Sequence, residues 1–254
     1  MIKFPFCFFF ILIFYQLTFS QKKEKLPSYF GFQIKPLIPG NFLSKSTIAI
    51  SDSNFTGTFS QKVGYSFGAI ARVGLTKLIS LETGINQVRR NYRVNFSHPD
   101  SSLSGKTSLS IISYDIPFNA MIYIQLSKRI FTNASLGTSF VYYPSNVGSV
   151  IIIESEHIFK AEGRRNKRFD FELNGNLGFE LRTEKSGFFY IGTSIKLPFA
   201  PIFKVDASYA YYKSNSPDKL AIGNINGAYL SVDLRYFLPN IKTKGQQFNI
   251  GPIE

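Results

Sequence analysis

The feature that most constrains this chain is a two-residue alternation of apolar and polar side chains. In residues 169–181 every odd position is apolar or glycine and every even position is polar or glycine, and all odd positions of residues 63–75 are apolar. Successive side chains of a β-strand point to opposite faces, so each segment is predicted to be a strand with one apolar face. No long segment keeps a helical period, and only period two recurs.

The arrangement of these strands predicts a fold. Eight segments alternate, at residues 29–38, 62–75, 79–96, 109–124, 130–143, 169–181, 188–197 and 225–238. The long intervals between them are 39–61, 97–108, 144–168 and 198–224, and the other intervals are short. Short turns at one end and long loops at the other are typical of outer-membrane barrels. The prediction is an all-β, eight-stranded antiparallel up-and-down transmembrane β-barrel with four long extracellular loops.

The short turns predict a strand register. Centring the first hairpin on Lys77 places Arg72 opposite Glu82 on the polar face, where opposite charges attract. We therefore predict that this pair lies inside the barrel. The second short hairpin is predicted to pair Ile122 with Thr132.

The amino-terminal segment has the pattern of an export signal. A lysine precedes an apolar run of about 14 residues, shorter than the ~20 needed for a membrane-spanning helix, and small residues follow at 18 and 20. The predicted organisation is a signal peptide at 1–20, a periplasmic segment at 21–28, the barrel at 29–238 and a periplasmic tail at 239–254. Cys7, the one cysteine, falls in the signal peptide, so no disulfide framework is expected.

The orientation of the two faces remains open at this point. A membrane barrel turns its apolar face toward lipid, whereas a soluble, lipocalin-like barrel turns it inward around a ligand. Mixed charges and small residues on the polar face, and aromatic pairs near strand ends, favour the membrane barrel. A secreted or periplasmic lipocalin-like ligand-binding barrel is the main alternative.

Three segments resemble strands of a known family. Residues 114–120 (YDIPFNA), 227–237 (GAYLSVDLRYF) and 78–84 (LISLETG) are similar to strands of the PorT-like outer-membrane β-barrel family common in Bacteroidota, which are small barrels of the OmpX and OmpA type. The resemblance implies a location in the cell outer membrane and no catalytic residues. It also implies an accessory role in a secretion assembly, whose proteins would be partners. For an outer-membrane barrel in general we expect the barrel assembly machinery as a partner and a structural or adhesive role.

Basic residues indicate an anionic partner. The net charge is +13, and in an exported chain lipopolysaccharide phosphate is a more natural partner than nucleic acid. The predicted contacts lie at the outer ends of two strands: Arg89, Arg90, Arg93, Arg164, Arg165, Lys167 and Arg168.

Catalytic and metal chemistry are weakly indicated. His98, Asp100 and Ser101 supply the residue types of a hydrolase, but adjacent loop residues seldom form the hydrogen-bonded chain that nucleophilic catalysis requires. The alternatives are a loop-borne lipid hydrolase and a metal site built from His98, His157 and nearby acids such as Glu154 or Glu156. We expect no enzyme activity, no cofactor and no metal, and a lumen plugged by ion pairs.

Overall fold

The computed structural model describes residues 27–40, 45–76, 78–99, 102–183, 186–213 and 219–239. Thirteen strands occur there: β1 (Tyr29–Ile38), β2 (Thr47–Asp52), β3 (Phe55–Gly74), β4 (Ile79–His98), β5 (Leu103–Gln125), β6 (Ile130–Tyr142), β7 (Val147–Ile153), β8 (His157–Arg165), β9 (Phe169–Arg182), β10 (Phe188–Pro198), β11 (Phe203–Tyr211), β12 (Lys219–Ile225) and β13 (Tyr229–Phe237). This part of the chain contains no helix with the length and apolarity of a membrane span. The predicted signal peptide, and the predicted tail beyond residue 239, lie outside the described residues.

Eight of these strands close a barrel. Their order is β1-β3-β4-β5-β6-β9-β10-β13, each pair is antiparallel, and β13 pairs with β1 to complete the ring. All eight predicted segments are barrel strands, so the predicted all-β antiparallel barrel is confirmed. Closure leaves these strands without the free edges that make open sheets prone to aggregation.

The prediction of four long loops is corrected, because five further strands and the extended ends of β3, β4 and β5 occupy those segments. β2 pairs with the far end of β3, and β12-β11-β8-β7 form a second sheet. Together with the far ends of β3, β4 and β5 they form what we call the head. Its strands share an apolar core that includes Phe55, Phe159 and Phe203, all fully buried. Burying that apolar surface is what orders the segments into sheet instead of loop.

The observed register agrees with one predicted hairpin and differs at the other. Arg72 lies opposite Glu82, as the first turn predicts. In the second hairpin Ile122 pairs with Ala134 instead of Thr132, so that prediction was wrong by two residues. A two-residue shift keeps every side chain on its face, which is why side-chain parity alone could not detect the error.

The polarity of the strands reverses where the barrel meets the head. Along β4 the inward side chains change from Glu82 and Asn86 in the barrel to Val94 and Phe96 in the head. The outward side chains change in the opposite sense, from Leu81 and Ile85 to Asn91, Arg93 and Asn95. The apolar outer surface is therefore confined to the barrel.

The height of the apolar outer surface matches a bilayer. A paired aromatic row of Tyr114, Tyr142 and Phe169 lies at its upper border. Phe169 and Leu181 at the two ends of β9 are separated by about 30 Å along the membrane normal, taking ~3.4 Å per residue and a tilt of ~40°. This matches the ~30 Å hydrocarbon core of a membrane.

Candidate functional site

The barrel interior is filled by a network of buried charges contributed by seven strands. The cations are Lys35, Arg72, Arg90, Arg182, Lys196 and Arg235, and the anions are Glu82, Asp115, Glu172, Glu180 and Asp233. They lie on the face opposite to the apolar outer surface, as alternation requires. Buried charges are tolerated only when paired and hydrogen-bonded, and here they pair with each other.

Arg72 and Glu82 lie together near the short-turn end of the lumen. Their Nη2 and Oε2 atoms are 2.9 Å apart and both side chains are buried. Arg72 also binds Glu180 through Nη1 at 2.5 Å, and Glu82 accepts a second bond from Arg235 at 2.7 Å. The geometry therefore extends the predicted pair into a chain that ties β3, β4, β9 and β13 together.

A second cluster closes the lumen below the head. Arg90 Nη2 binds Glu172 at 2.6 Å, its Nε donates to the Gly227 carbonyl at 3.0 Å, and Tyr143 donates to the same carboxylate at 3.1 Å. Lys196 binds Asp115 beside them. Arg90 therefore does not belong to the predicted anion-contact set: its side chain points inward and is almost fully buried, so it cannot reach an anion outside the barrel.

Little space remains inside this network. The internal cavity lined by Lys196, Asp115 and Asn174 has a volume of 20 Å³, about the room that one water molecule needs. Above it the core of the head is mainly apolar, and Gln61 and His98 are buried polar side chains there on β3 and β4. In the described part of the chain the interior is thus a filled core, as expected for a barrel of eight strands.

The other predicted anion-contact residues lie in four different settings. Arg164 is exposed but is neutralised by Asp206 at 3.0 Å and Glu162 at 3.4 Å. Arg165 donates to the Tyr143 carbonyl at 3.0 Å and also to that of Pro144. The connection from β8 to β9 carries Lys167 and Arg168, both exposed. Arg89 and Arg93 point outward from β4.

Arg89 and Arg93 belong to a larger cluster that we call the basic face, completed by Lys62 on β3 and Lys106 on β5. Lys62 pairs with Asn91, and Lys106 pairs with Asn95. Each cation is therefore a diagonal neighbour of the next, about 7–8 Å away. The predicted set omits both lysines. Continuing the alternation of β5 identifies Lys106, whereas Lys62 faces outward because the register of β3 shifts between Lys62 and Tyr65, which alternation alone does not reveal.

The neighbours of the basic face are neutral. Its other outward side chains are hydroxyls and amides: Thr56, Thr58, Ser60, Asn91, Asn95, Ser97, Ser104, Ser108 and Ser110. Arg89 donates to Ser110 at 3.1 Å and to Asn91 at 3.3 Å. Among the described residues, none of the four cations has a carboxylate within salt-bridge distance. Like charges without counter-ions form a surface suited to a polyanion.

The two histidines converge at the top of the head. His98 packs against the ring of Tyr209 with centroids 4.8 Å apart, and His157 Nδ1 lies 2.9 Å from the hydroxyl of Tyr209. His98 is buried in the strand β4 and not in a loop. Asp100 and Ser101 of the hydrolase alternative lie outside the described residues. The described residues contain no group of three or more His, Cys, Asp or Glu side chains able to hold a metal ion.

Comparison with known proteins gives three findings. A family model described as "outer membrane protein beta-barrel domain" matches residues 19–204. No curated protein matches. The structure is similar to the outer membrane protein OprG from Pseudomonas aeruginosa, with a TM-score of 0.52 and 11% identity over 87% of this chain and 100% of that chain. An outer membrane channel from Pseudomonas putida F1 is 12% identical over 86% of this chain and 98% of that one, with a TM-score of 0.25.

Proposed function

Because this chain belongs to the outer membrane protein β-barrel domain family, whose model matches most of its length, we propose that it is a closed membrane anchor that carries the head outside the cell. The protein is an outer-membrane barrel, which replaces the secreted or periplasmic lipocalin-like alternative. In our proposal the barrel conducts no solute, and the basic face of the head binds phosphate groups of lipopolysaccharide. The role is structural and not enzymatic.

The observation that carries the proposal is the filled interior. Ten buried charged side chains and the partly buried Lys35 cross the lumen, and the cavity left among them is 20 Å³. A hydrated ion needs a continuous polar path, but the inward side chains of the head are mostly apolar, with Gln61 and His98 as buried polar exceptions on β3 and β4. Opening the lumen would separate buried ion pairs, at a cost of several kcal/mol each.

The basic face lies at the height that lipopolysaccharide phosphate would occupy. Arg89 lies next to the upper aromatic row, on the strand that pairs with Tyr114. Arg93 lies four residues further along the same outward face of β4. Barrels of this class have their long connections outside the cell, so this border faces the outer leaflet. Guanidinium groups bind phosphate through two parallel hydrogen bonds, which gives Arg93 a geometric as well as an electrostatic role.

Conductance measurements test the closed barrel. The purified protein, reconstituted into planar bilayers beside a general porin as a positive control, is expected to show no open-channel current above the bare membrane. Partial unfolding would produce irregular leaks, so heat-modifiable electrophoresis should accompany each preparation. Regular single-channel steps from folded protein would refute a closed lumen.

Lipopolysaccharide binding tests the basic face. Replacing Lys62, Arg93 and Lys106 by serine is expected to weaken binding by roughly a hundredfold, at ~1 kcal/mol for each cation beside an anionic surface. The matched control is Arg164→Ser, because Arg164 is equally exposed but already neutralised by carboxylates. Binding to dephosphorylated lipopolysaccharide should not distinguish the variants. An equal loss in the control would contradict the assignment.

A second candidate role is favoured by an apolar pair on the head. Val150 and Ile152 on β7 are 54% and 62% exposed and point away from the head core. Exposed apolar side chains above the membrane suit contact with another protein, such as a component of the secretion assembly that the PorT-like resemblance implies. Photo-crosslinking from position 152 in cells tests this role, with position 106 as the polar control. Equal crosslinking at both positions would remove the support.

A further inference from the structure

The apolar outer surface of the barrel contains a trough between two rows of side chains. The row nearer the short turns is Phe32, Tyr236, Phe189, Leu181 and Ile130, which are paired across β1, β13, β10, β9 and β6. The second row is Ile34, Leu234, Ile191 and Phe179 on the same strands. The backbone of Gln33, Arg235, Tyr190 and Glu180 forms the floor.

The trough is large and open to the membrane. Its volume is 740 Å³, within the range of ~300–1,000 Å³ of small-molecule sites. In one wall the rings of Phe189 and Tyr236 pack together, with centroids 5.0 Å apart. The Tyr236 hydroxyl donates a hydrogen bond to the Ser186 carbonyl at 3.1 Å, which fixes the ring. Five strands at ~4.8 Å spacing give a length of about 19 Å. The trough runs across the strands and follows the barrel wall. An acyl chain is about 15 Å long, half of the hydrocarbon core, so it is short enough to lie along the trough.

Two cations lie at one end of the trough. Ile130 is the first residue of β6, and the exposed residues Lys128 and Arg129 precede it in the short turn. The Arg129 carbonyl accepts a hydrogen bond from the Arg182 amide at 2.8 Å, which fixes this turn beside β9. Short turns face the periplasm, so the turn lies at the headgroup level of the inner leaflet, where phospholipids are found.

We propose that the trough is a selective site for one anionic phospholipid of the periplasmic leaflet. One acyl chain lies between the two rows, and the phosphate group lies against Lys128 and Arg129. Lipid tails are as apolar as the side chains, so burial alone gives no preference for this chain over its neighbours. The selectivity comes from the shape of the trough and from the charge at its end. This site depends on the membrane orientation of the barrel and not on whether the lumen is closed.

Tryptophan fluorescence tests the proposal, because the chain contains no tryptophan. Phe189→Trp places a reporter in the trough wall, and Phe32→Trp provides a second one in the same row. Ile85→Trp is the matched control: it is 56% exposed to lipid and lies on β4, four strands away around the barrel. Each variant is reconstituted in phosphatidylcholine bilayers that contain brominated phosphatidylglycerol or brominated phosphatidylcholine, whose bromine atoms quench tryptophan on contact.

The expected result is a selectivity confined to the trough. Brominated phosphatidylglycerol should quench the two trough reporters at about thirtyfold lower mole fraction than brominated phosphatidylcholine, from ~1 kcal/mol for each of the two cations. The Ile85→Trp control should respond equally to both lipids. Adding Lys128→Ser and Arg129→Ser should abolish the preference, whereas Lys106→Ser on the head should leave it unchanged.

Three results would overturn the proposal. Equal selectivity at the trough and control reporters would mean that the barrel has a general preference for anionic lipid. Selectivity that survives the loss of both cations would assign it to another group. Weak quenching of the trough reporters by both lipids would mean that protein, and not lipid, covers the trough.

Discussion

Arg72 provides the most direct test of the interior network. Its guanidinium is 1% exposed, binds Glu82 and Glu180, and lies 4.4 Å from the ring centroid of Phe237. Arg72→Met keeps most of the side-chain volume but leaves two carboxylates with less positive charge around them. Glu82 retains Arg235, and Glu180 retains Arg182, so neither anion is left without a partner.

The expected cost follows from this geometry. Breaking a buried pair by removing one partner costs ~3–5 kcal/mol of unfolding free energy. The retained partners place Arg72→Met near the lower value, at about 3 kcal/mol. Glu82→Met should cost a similar amount, because it leaves Arg235 bound to Asp233 alone. In the double variant neither member of the pair is left behind, so the two costs should overlap by about 1–2 kcal/mol.

Urea-induced unfolding of the barrel from phospholipid vesicles measures these energies, with heat-modifiable electrophoresis as the readout. Lys106→Met is the control, because it removes an exposed charge and should change stability by no more than ~0.5 kcal/mol. Additive effects of Arg72→Met and Glu82→Met would refute the coupling. A cost below that of the control for Arg72→Met would refute the network itself.

Further predictions address the other parts of the molecule. Leu177 lies on the lipid-facing side near the middle of β9. Leu177→Arg should lower the free energy of unfolding by ~2–4 kcal/mol in the same assay and impair membrane assembly, whereas Leu177→Met should be near neutral. Phe159→Ala should cost ~3–5 kcal/mol in the head core and increase proteolysis of the head while the barrel stays heat-modifiable. Hydrogen bonds from Lys213 and Tyr211 lower the pKa of the Glu156 carboxyl, so its interactions stabilise the head above the ordinary pKa of 4.5 and are lost as the pH falls through the lowered value. Lys213→Ala should raise that pKa toward 4.5 in a carbon-13 NMR titration.

The barrel could be predicted from sequence because each of its strands carries its own information. A strand that faces lipid on one side and packed polar groups on the other must alternate over its whole length, as residues 169–181 do. The head strands carry a shorter pattern. Phe55, Gly57 and Phe59 alternate over only five positions, and their core partner Phe159 is about a hundred residues away in the chain. Nothing local distinguishes such a segment from a loop that contains a few apolar residues.

Arg90 shows how proximity along the chain can mislead. Arg89, Arg90 and Arg93 form one basic cluster in the sequence, and the prediction assigned all three to the same anion. Parity separates them, because Arg90 lies an even number of residues from Glu82, on the inward face. This parity argument requires that the strand continues without a bulge from Glu82 to Arg90. The β4–β5 register shows that it does.

The polarity reversal along β4 is stronger evidence for the orientation of the barrel than the side-chain pattern of either half of the strand alone. In one solvent, a strand keeps the same face apolar from end to end, as a lipocalin-like barrel would. β4 instead keeps its side-chain alternation while its apolar face changes from outward at Ile85 to inward at Val94. The hydrophobic effect favours an apolar interior only where the outside is water. In lipid that preference disappears, and the interior is left to polar groups that pair with one another. A single strand with both patterns therefore passes from lipid into water. Arg90 lies at the border: its guanidinium binds Glu172 in the lumen, and Tyr92, two residues further along β4, belongs to the apolar core of the head.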